Sequence, residues 1–400
     1  MKIFVTAKAD LSGQRTTPGG MVHLLEVCRN LQALGHEVTL FVGSEERAQD
    51  ALPFRVVYVP MVPLPKLSAL TFPLGLLASL LGWGLVRRCE LIYENTVSYS
   101  LSGVIAAKLL GVPHAMHVHG FYPDEMAMGG HGALRIAVVK FFERWNYRFS
   151  DALFCVTPVV REKVRETYHV PAERAHFIYN GVDADRCRPM DRTEAARALG
   201  LDPGKEYVGF IGYLFPWSGI EQLIDAAAVI AKERPDARFL IVGHGLWGER
   251  LPGLAREAGV ADRFKFFGYQ PWDKIPLFCN VFDVGVTPYV ADKGVGRYRS
   301  SMKTLEYSAA GCPVVMTRAP GVSDIVERAG CGLVVEPDDP PALAQAILTL
   351  LRDPQLRRSM GQKGRRLVEE GYTWRHVAQR MTAVFEQLVD RGAGGRRCCG

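Results

Sequence analysis

The chain has 400 residues, enough for two or three domains. With 48% hydrophobic, 10% aromatic and 22% charged residues it can bury a core, which excludes a disordered chain, and its 40 glycines follow no collagen period. The formal charge of +6 comes from 48 Lys+Arg against 42 Asp+Glu with no concentrated basic domain, which argues against nucleic-acid binding and leaves contact with anionic lipid open.

MKIFVTAKAD at the start reads as a buried first strand rather than a secretory signal. Residues 20–34 carry Leu24, Val27, Leu31 and Leu34 at helical spacing, and Gly35 supplies a C-cap. HEVTLFVG, FRVVYVP, ELIYENT, HAMHVHG and ALFCVTP then read as strands, with helices such as 101–110 and 133–149 between them. The uncharged stretch 67–86 is followed by Arg87-Arg88. Its length suits a membrane span, but Pro73 and its glycines favour a core or membrane-surface helix. A polar, turn-rich region follows at 181–206. Alternation restarts with strands near 207–213, 238–245, 263–269, 281–289, 312–317 and 331–337, and helices at 219–233, 247–258, 272–279, 301–310, 322–328 and 340–351. A last amphipathic helix near 374–391 has no strand after it.

Alternating β and α implies α/β architecture with parallel sheets covered on both faces. The expected domains are 1–180 and 207–373, both doubly wound and Rossmann-like, with a linker at 181–206 and a final helix and tail at 374–400. Ligands are then expected at the carboxyl ends of the strands, in a cleft between facing domains. The nine cysteines show neither CxxC nor zinc spacing, which suits a reducing compartment. Cys398 and Cys399 lie in a tail without a prenylation box, since position 397 is Arg.

Three places carry candidate chemistry. Gly19-Gly20 opens a helix, where backbone N–H groups favour an anion, although an ordinary turn would read the same. HVHG (117–120) ends a strand, so His119 is a candidate acid/base or electrostatic group, and His117 is expected to face the other side. RYRSSMKTLE (297–306) is the richest segment. Ser300 or Ser301 can N-cap the following helix, with Arg297, Arg299 and Lys303 near a diphosphate-sized site. Glu306 lies three residues after Lys303, which suits either a ribose-binding carboxylate or an exposed ion pair.

YNGVD (179–183), GFIGYLFPWSGIEQLIDAA (209–227), LIVGHG (240–245) and above all SSMKTLEYSAAGCPVV (300–315) resemble the retaining glycosyltransferases of family 4. The resemblance covers nearly the whole chain. It implies the GT-B fold, with the C-terminal helix crossing back to the N-terminal domain. It also implies transfer of a hexose-type sugar, with retention, from a nucleotide diphosphate sugar to a glycan or lipid-linked acceptor. The setting would be cytoplasmic, at the inner face of the plasma membrane, in polysaccharide or glycolipid biosynthesis. No metal or other cofactor is expected; helix-terminus donors and cations would hold the leaving diphosphate. By motif position Gly20 would approach the diphosphate or sugar, His119 the transferred sugar, and Glu306 the ribose. Gly268 and Tyr269 would lie near the base. The leaving diphosphate would take the acceptor proton, so no glycosidase-type nucleophile is expected.

Two departures stand out. Many members carry a second glutamate eight residues before the first, and here that position is Tyr298. Many also carry Arg and Lys after the first strand of the second domain, where this chain has Tyr213 and Ser218. Lys303 is the best replacement cation, with Arg297 and Arg299 as further candidates. The departures also motivate an alternative, a catalytically inactive GT-B protein acting as a partner subunit.

Overall fold

The computed structural model describes residues 1–8, 18–44, 51–62, 65–95, 99–290, 298 and 300–397. It divides into two compact units. The first comprises Met1–Asn180, Tyr298–Ser300 and Trp374–Gly400; the second comprises Gly181–Arg297 and Ser301–Thr373.

The first unit holds seven strands: β1 (Lys2–Ala7), β2 (Glu37–Val42), β3 (Arg55–Tyr58), β4 (Leu91–Asn95), β5 (His114–Val118), β6 (Ala152–Cys155) and β7 (Ala175–Phe177). Their order is β3-β2-β1-β4-β5-β6-β7, with parallel pairing throughout. Six helices, α1 (Pro18–Ala33), α2 (Pro65–Arg87), α3 (Ser102–Leu110), α4 (Tyr122–Met128), α5 (Ala133–Phe149) and α6 (Pro158–Tyr168), are spaced between the strands. Ile3, Phe4, Val5, Leu91, Ile92 and Tyr93 are buried, as central parallel strands must be.

The second unit interleaves β8 (Glu206–Ile211), β9 (Ala237–Val242), β10 (Phe264–Gly268), β11 (Val284–Thr287), β12 (Val314–Thr317) and β13 (Gly332–Val335) with α7 (Arg192–Ala198), α8 (Ile220–Glu233), α9 (Leu251–Glu257), α10 (Ile275–Val281), α11 (Met302–Ala309), α12 (Val322–Ala329), α13 (Pro340–Arg352) and α14 (Pro354–Gly371). Its strand order is β10-β9-β8-β11-β12-β13. In each sheet the first strand in sequence lies inside, so the order reverses at β1 and at β8. Those reversals are where open parallel sheets take ligands.

Residues 181–206, expected as a linker, are built into the second unit. The Arg192 guanidinium donates to the Pro203 and Lys205 carbonyls and pairs with Asp283 at 2.8 Å. Asp283 also accepts from the Tyr207 amide, which ties the segment to the start of β8. The last helix, α15 (Trp374–Arg397), belongs with the first unit, although it follows the second in the chain. Trp374, Val377, Met381 and Phe385 are buried, and His36 bonds Thr382 at 2.9 Å.

α2 carries the apolar stretch singled out in the sequence. Phe72, Leu76 and Leu80 are buried, while Leu74, Leu85 and Val86 are exposed. Among the described residues no helix is long and apolar enough to cross a membrane.

β8 contains a glycine that packing demands. A Cβ at Gly209 would land in the ring of Phe282, which seats directly on the strand. Gly209→Ala should therefore destabilise the second unit by about 1–3 kcal/mol through overpacking. Chemical denaturation followed by far-UV CD checks this, and an unchanged midpoint would refute the packing claim.

Candidate active site

In the first unit the candidate residues gather on one face, at the carboxyl ends of β4 and β5. β4 and β5 are neighbours, with Tyr93 opposite Ala115 and Asn95 opposite His117. Side chains alternate along a strand, so residues two apart share a face. Tyr93 and Asn95 therefore stand beside His117 and His119. The expectation that His117 faces away from His119 was wrong: the two rings lie 4.6 Å apart. His23 of α1 completes the group, with ring centroids 4.2 Å from His117 and 4.6 Å from His119. Trp374 of α15 closes on His23 edge-on at 5.3 Å.

Each imidazole has one nitrogen held by an oxygen. His23 Nδ1 meets Asn180 Oδ1 at 2.8 Å, His117 Nδ1 meets the Tyr93 hydroxyl at 2.9 Å, and His119 Nε2 meets Asn95 Oδ1 at 2.5 Å. Burial lowers the pKa of His119 to about 4. His23 and His117 are also held well below the usual range by burial, and the crowding of neighbouring imidazoles adds to it. The cluster is neutral at pH 7 and offers hydrogen bonds rather than charge. One nitrogen from each ring lies within 4.8 Å of the other two, and among the described residues the cluster is the one group that could hold a metal ion.

Gly19 and Gly20 lie exposed in the first turn of α1, whose leading N–H groups have no partner within the helix. Tyr298 is buried with the first unit, where its hydroxyl donates to Asp124 at 2.7 Å and its ring lies 6.1 Å from Phe121. Arg297 and Arg299 lie outside the described residues, as do Cys398 and Cys399.

In the second unit the candidates gather around the start of α11 and the end of β8. Ser301 occupies the N-cap position, but its side chain does not cap the helix. Its Oγ instead accepts from the Thr304 hydroxyl at 2.8 Å, so the expected side-chain cap is replaced by a local hydroxyl pair. The Lys303 ammonium sits over the Phe210 ring at 4.0 Å and 5.1 Å from the Tyr289 ring. A Cβ at Gly212, the residue after β8, would come within 2.7 Å of Lys303 Nζ. Lys303 thus reaches the turn in which relatives would place their cations. Ser218, at one of those positions, is buried and ties the turn together: its Oγ donates to the Tyr213 carbonyl and accepts from the Phe215 amide.

Glu306 is half-buried, one turn after Lys303. Burial pushes its carboxyl up to about 7, against the opposing pull of the Lys303 charge and a hydrogen bond from Trp272. Arg186 stacks over Trp272 at 3.6 Å. Gly268 ends β10 with a φ of +64°, and its carbonyl accepts from the Gly243 amide at 2.8 Å. Tyr269 is 51% exposed and meets His244 edge-on at 5.3 Å.

Several site residues escaped the sequence reading. Asn95, Tyr93 and His23 carry no local motif, and Asn180 lies in YNGVD without being singled out; the other signal was a histidine one helical turn into the helix that Gly20 opens. The aromatic run Tyr213, Phe215 and Trp217 stacks at 4.8 and 4.5 Å, and Tyr213 meets His244 at 4.7 Å. An alternating aromatic pattern after a strand was its signal.

Glu306 also links stability to pH. Its folded pKa of about 7 exceeds the ordinary 4.5, so between those values the folded state binds more protons than the unfolded one. Stability therefore falls as pH rises through that window, by about 3 kcal/mol at most. Glu306→Gln should gain stability over the parent between pH 5 and pH 8, measured by denaturant midpoints. A difference that does not change with pH would show that the carboxyl is not desolvated.

Residues 18–186 match the family model described as Glycosyltransferase Family 4, and residues 191–367 match Glycosyl transferases group 1. A D-inositol 3-phosphate glycosyltransferase of Thermobispora bispora is 27% identical over 96% of this chain and 94% of its own. A 2-deoxystreptamine glucosyltransferase of Streptomyces kanamyceticus is 26% identical over 92% of this chain and 99% of its own. Among solved structures, sucrose-phosphate synthase from Thermosynechococcus elongatus has a TM-score of 0.78 at 20% identity, covering 98% of this chain and 100% of its own. Anabaena HepE in complex with UDP has a TM-score of 0.75 at 20% identity, covering 97% of this chain and 100% of its own. Both sheets of this chain have matching strand order. With the two models together spanning both units, the chain belongs to the family 4 glycosyltransferases and is a glycosyltransferase of the GT-B fold.

Proposed function

We propose that the enzyme transfers a hexose-type sugar, with retention, from a nucleotide diphosphate sugar to a glycan or lipid-linked acceptor, and that it does so without a metal. The observation that carries this reading is Lys303. Its ammonium lies against the Gly212 turn, at the reversal point of the second sheet, with Glu306 one turn further along the same helix. A cation at the turn suits a diphosphate, and a carboxylate behind it suits vicinal ribose hydroxyls. The Anabaena HepE structures hold UDP and UDP-glucose, which makes UDP the first nucleotide to try. The relatives' names point to hydroxyl-rich small molecules as acceptors in those proteins. His119 would meet the transferred sugar as a neutral hydrogen-bonding group, and the leaving diphosphate would take the acceptor proton.

The lipid-linked acceptor draws support from α5. Leu134, Val138, Phe141 and Phe149 are exposed, and with Trp145 they recur at intervals of three and four, which places them along one face. Lys140, Arg144 and Arg148 flank that stripe on one side and Arg135 on the other. An apolar stripe between cations suits the headgroup region of an anionic bilayer.

Thermal melting against UDP, GDP, ADP, dTDP and CMP, with Mg²⁺ or EDTA, tests the donor reading. One nucleoside diphosphate should raise the midpoint equally in both, since a ligand selective for the folded state stabilises it by mass action. No shift with any nucleotide would favour the inactive partner subunit, the reading that the absent Arg and Lys raise. Glu306→Ala should weaken the nucleotide by about 1–3 kcal/mol. Because Glu306 ionises near 7, affinity in the parent should fall as pH drops below 7, and Glu306→Gln should abolish that dependence. For the membrane, Phe141→Glu should reduce co-sedimentation with phosphatidylglycerol vesicles several-fold while leaving nucleotide melting shifts unchanged. Equal sedimentation of parent and variant would remove α5 from any lipid contact.

A further inference from the structure

We propose that Asn95 is a positioning residue that fixes His119 as the tautomer protonated on Nε2, so that Nδ1 meets a substrate hydroxyl as a neutral acceptor. The role in catalysis rests on the reading above, that His119 lies by the transferred sugar; the tautomer assignment does not. Asn95 is the last residue of β4, and His119 is the first beyond β5, on the same face of the sheet. The carboxamide oxygen of Asn95 can only accept, and it lies 2.5 Å from His119 Nε2, so that nitrogen must donate. A neutral imidazole has one donor and one acceptor. With the donor committed to Asn95, the acceptor at Nδ1 is what remains for a ligand.

The surroundings keep the ring neutral. The titratable groups that face it are His23 from α1 and His117 from β5, both imidazoles within 4.6 Å of its centroid. Tyr93 of β4 reaches His117, and Glu125 of α4 reaches over Gly120, the residue after His119. Burial holds His119 at about 4. An aspartate in place of Asn95 would have the same shape and the opposite consequence. Its charge would favour imidazolium, and Nδ1 would then carry a proton and become a donor. The amide orients the ring without charging it.

The same three rings could instead gather round a metal ion, because each has its second nitrogen on an oxygen, as metal-bound imidazoles do. That alternative places the ion on the His119 nitrogen that the proposal leaves free, so one set of measurements separates them.

The test uses the full chain labelled with ¹⁵N-histidine, with His119 identified by its absence in His119→Gln. Long-range proton–nitrogen correlation spectra should show a protonated Nε2 and an unprotonated Nδ1, unchanged from pH 8 down to 5.5. In Asn95→Asp, His119 should carry both protons at pH 7 and lose one only at higher pH. In Asn95→Ala, which keeps the assay available if the aspartate variant does not fold, the two tautomers should average. A proton on Nδ1 in the parent overturns the proposal, as does an Asn95→Asp spectrum like the parent's. So does Co²⁺ titration that develops a visible absorption band lost in His23→Gln.

With the donor identified by melting, Asn95→Asp should lower kcat at pH 7 at least about tenfold and recover it as pH rises, with KM little changed. A loss independent of pH would make Asn95 merely structural and overturn its positioning role. If the parent transfers from no donor that it binds, the sugar-transfer reading fails, and with it the catalytic role of Asn95. The spectra still decide the tautomer in that case.

Discussion

A parallel sheet covered on both faces has little room for polar side chains, and that constraint shapes this protein. Within the strands a polar group must find a buried partner or cost several kcal/mol. At the carboxyl ends the chain leaves the sheet, and polar groups can face a ligand. The first unit uses both solutions within a few residues. Tyr93 and His117 lie inside β4 and β5, fully buried, and hydrogen-bond each other. Asn95 and His119 lie one step further along, at the exit, where the same pairing leaves one nitrogen available. The catalytic candidate is the last rung of a ladder whose inner rungs are structural.

The second unit meets the same constraint with fewer charges. Its turn after β8 lacks the two cations common in the family, and the sequence offers Tyr213 and Ser218 instead. The structure shows that Ser218 holds the turn by bonding its backbone. The cation arrives from α11, where Lys303 lies over two aromatic rings at the Gly212 turn. A lysine ammonium over ring faces remains charged while partly withdrawn from water, and withdrawal strengthens its field at a nearby anion. One desolvated cation can then do part of the work of two solvated ones.

Much of the fold was legible because period and punctuation agreed. The buried strands read as short β-rich runs, and α5 and α13 matched their expected limits to within a residue. α14 was missed for a physical reason. Its contact face sets Gly361 and Gly364 among Leu356, Met360 and Val368: a Cβ on Gly361 would overlap the Gly311 carbonyl, and one on Gly364 would crowd Ser308. The two glycines allow close backbone approach and interrupt the hydrophobic period that would announce the helix. The linker was misread in a similar way. The polarity of 181–206 comes from groups such as Arg192 that bond inward to carbonyls and Asp283, and composition cannot tell inward from outward.

The site was legible in its residue types and illegible in its partnerships. His119, Lys303 and Glu306 stand out by type and motif, but what each one is chemically depends on residues far away in sequence. Burial beside His23 and His117 makes His119 a neutral group, and Asn95 decides which of its nitrogens is free. Trp272 and Lys303 oppose the burial that raises Glu306, and so set how much of it is ionised near neutral pH. Partners separated by tens of residues leave no spacing to read. An asparagine at the end of a strand is unremarkable in a sequence, and its meaning here comes from the strand beside it.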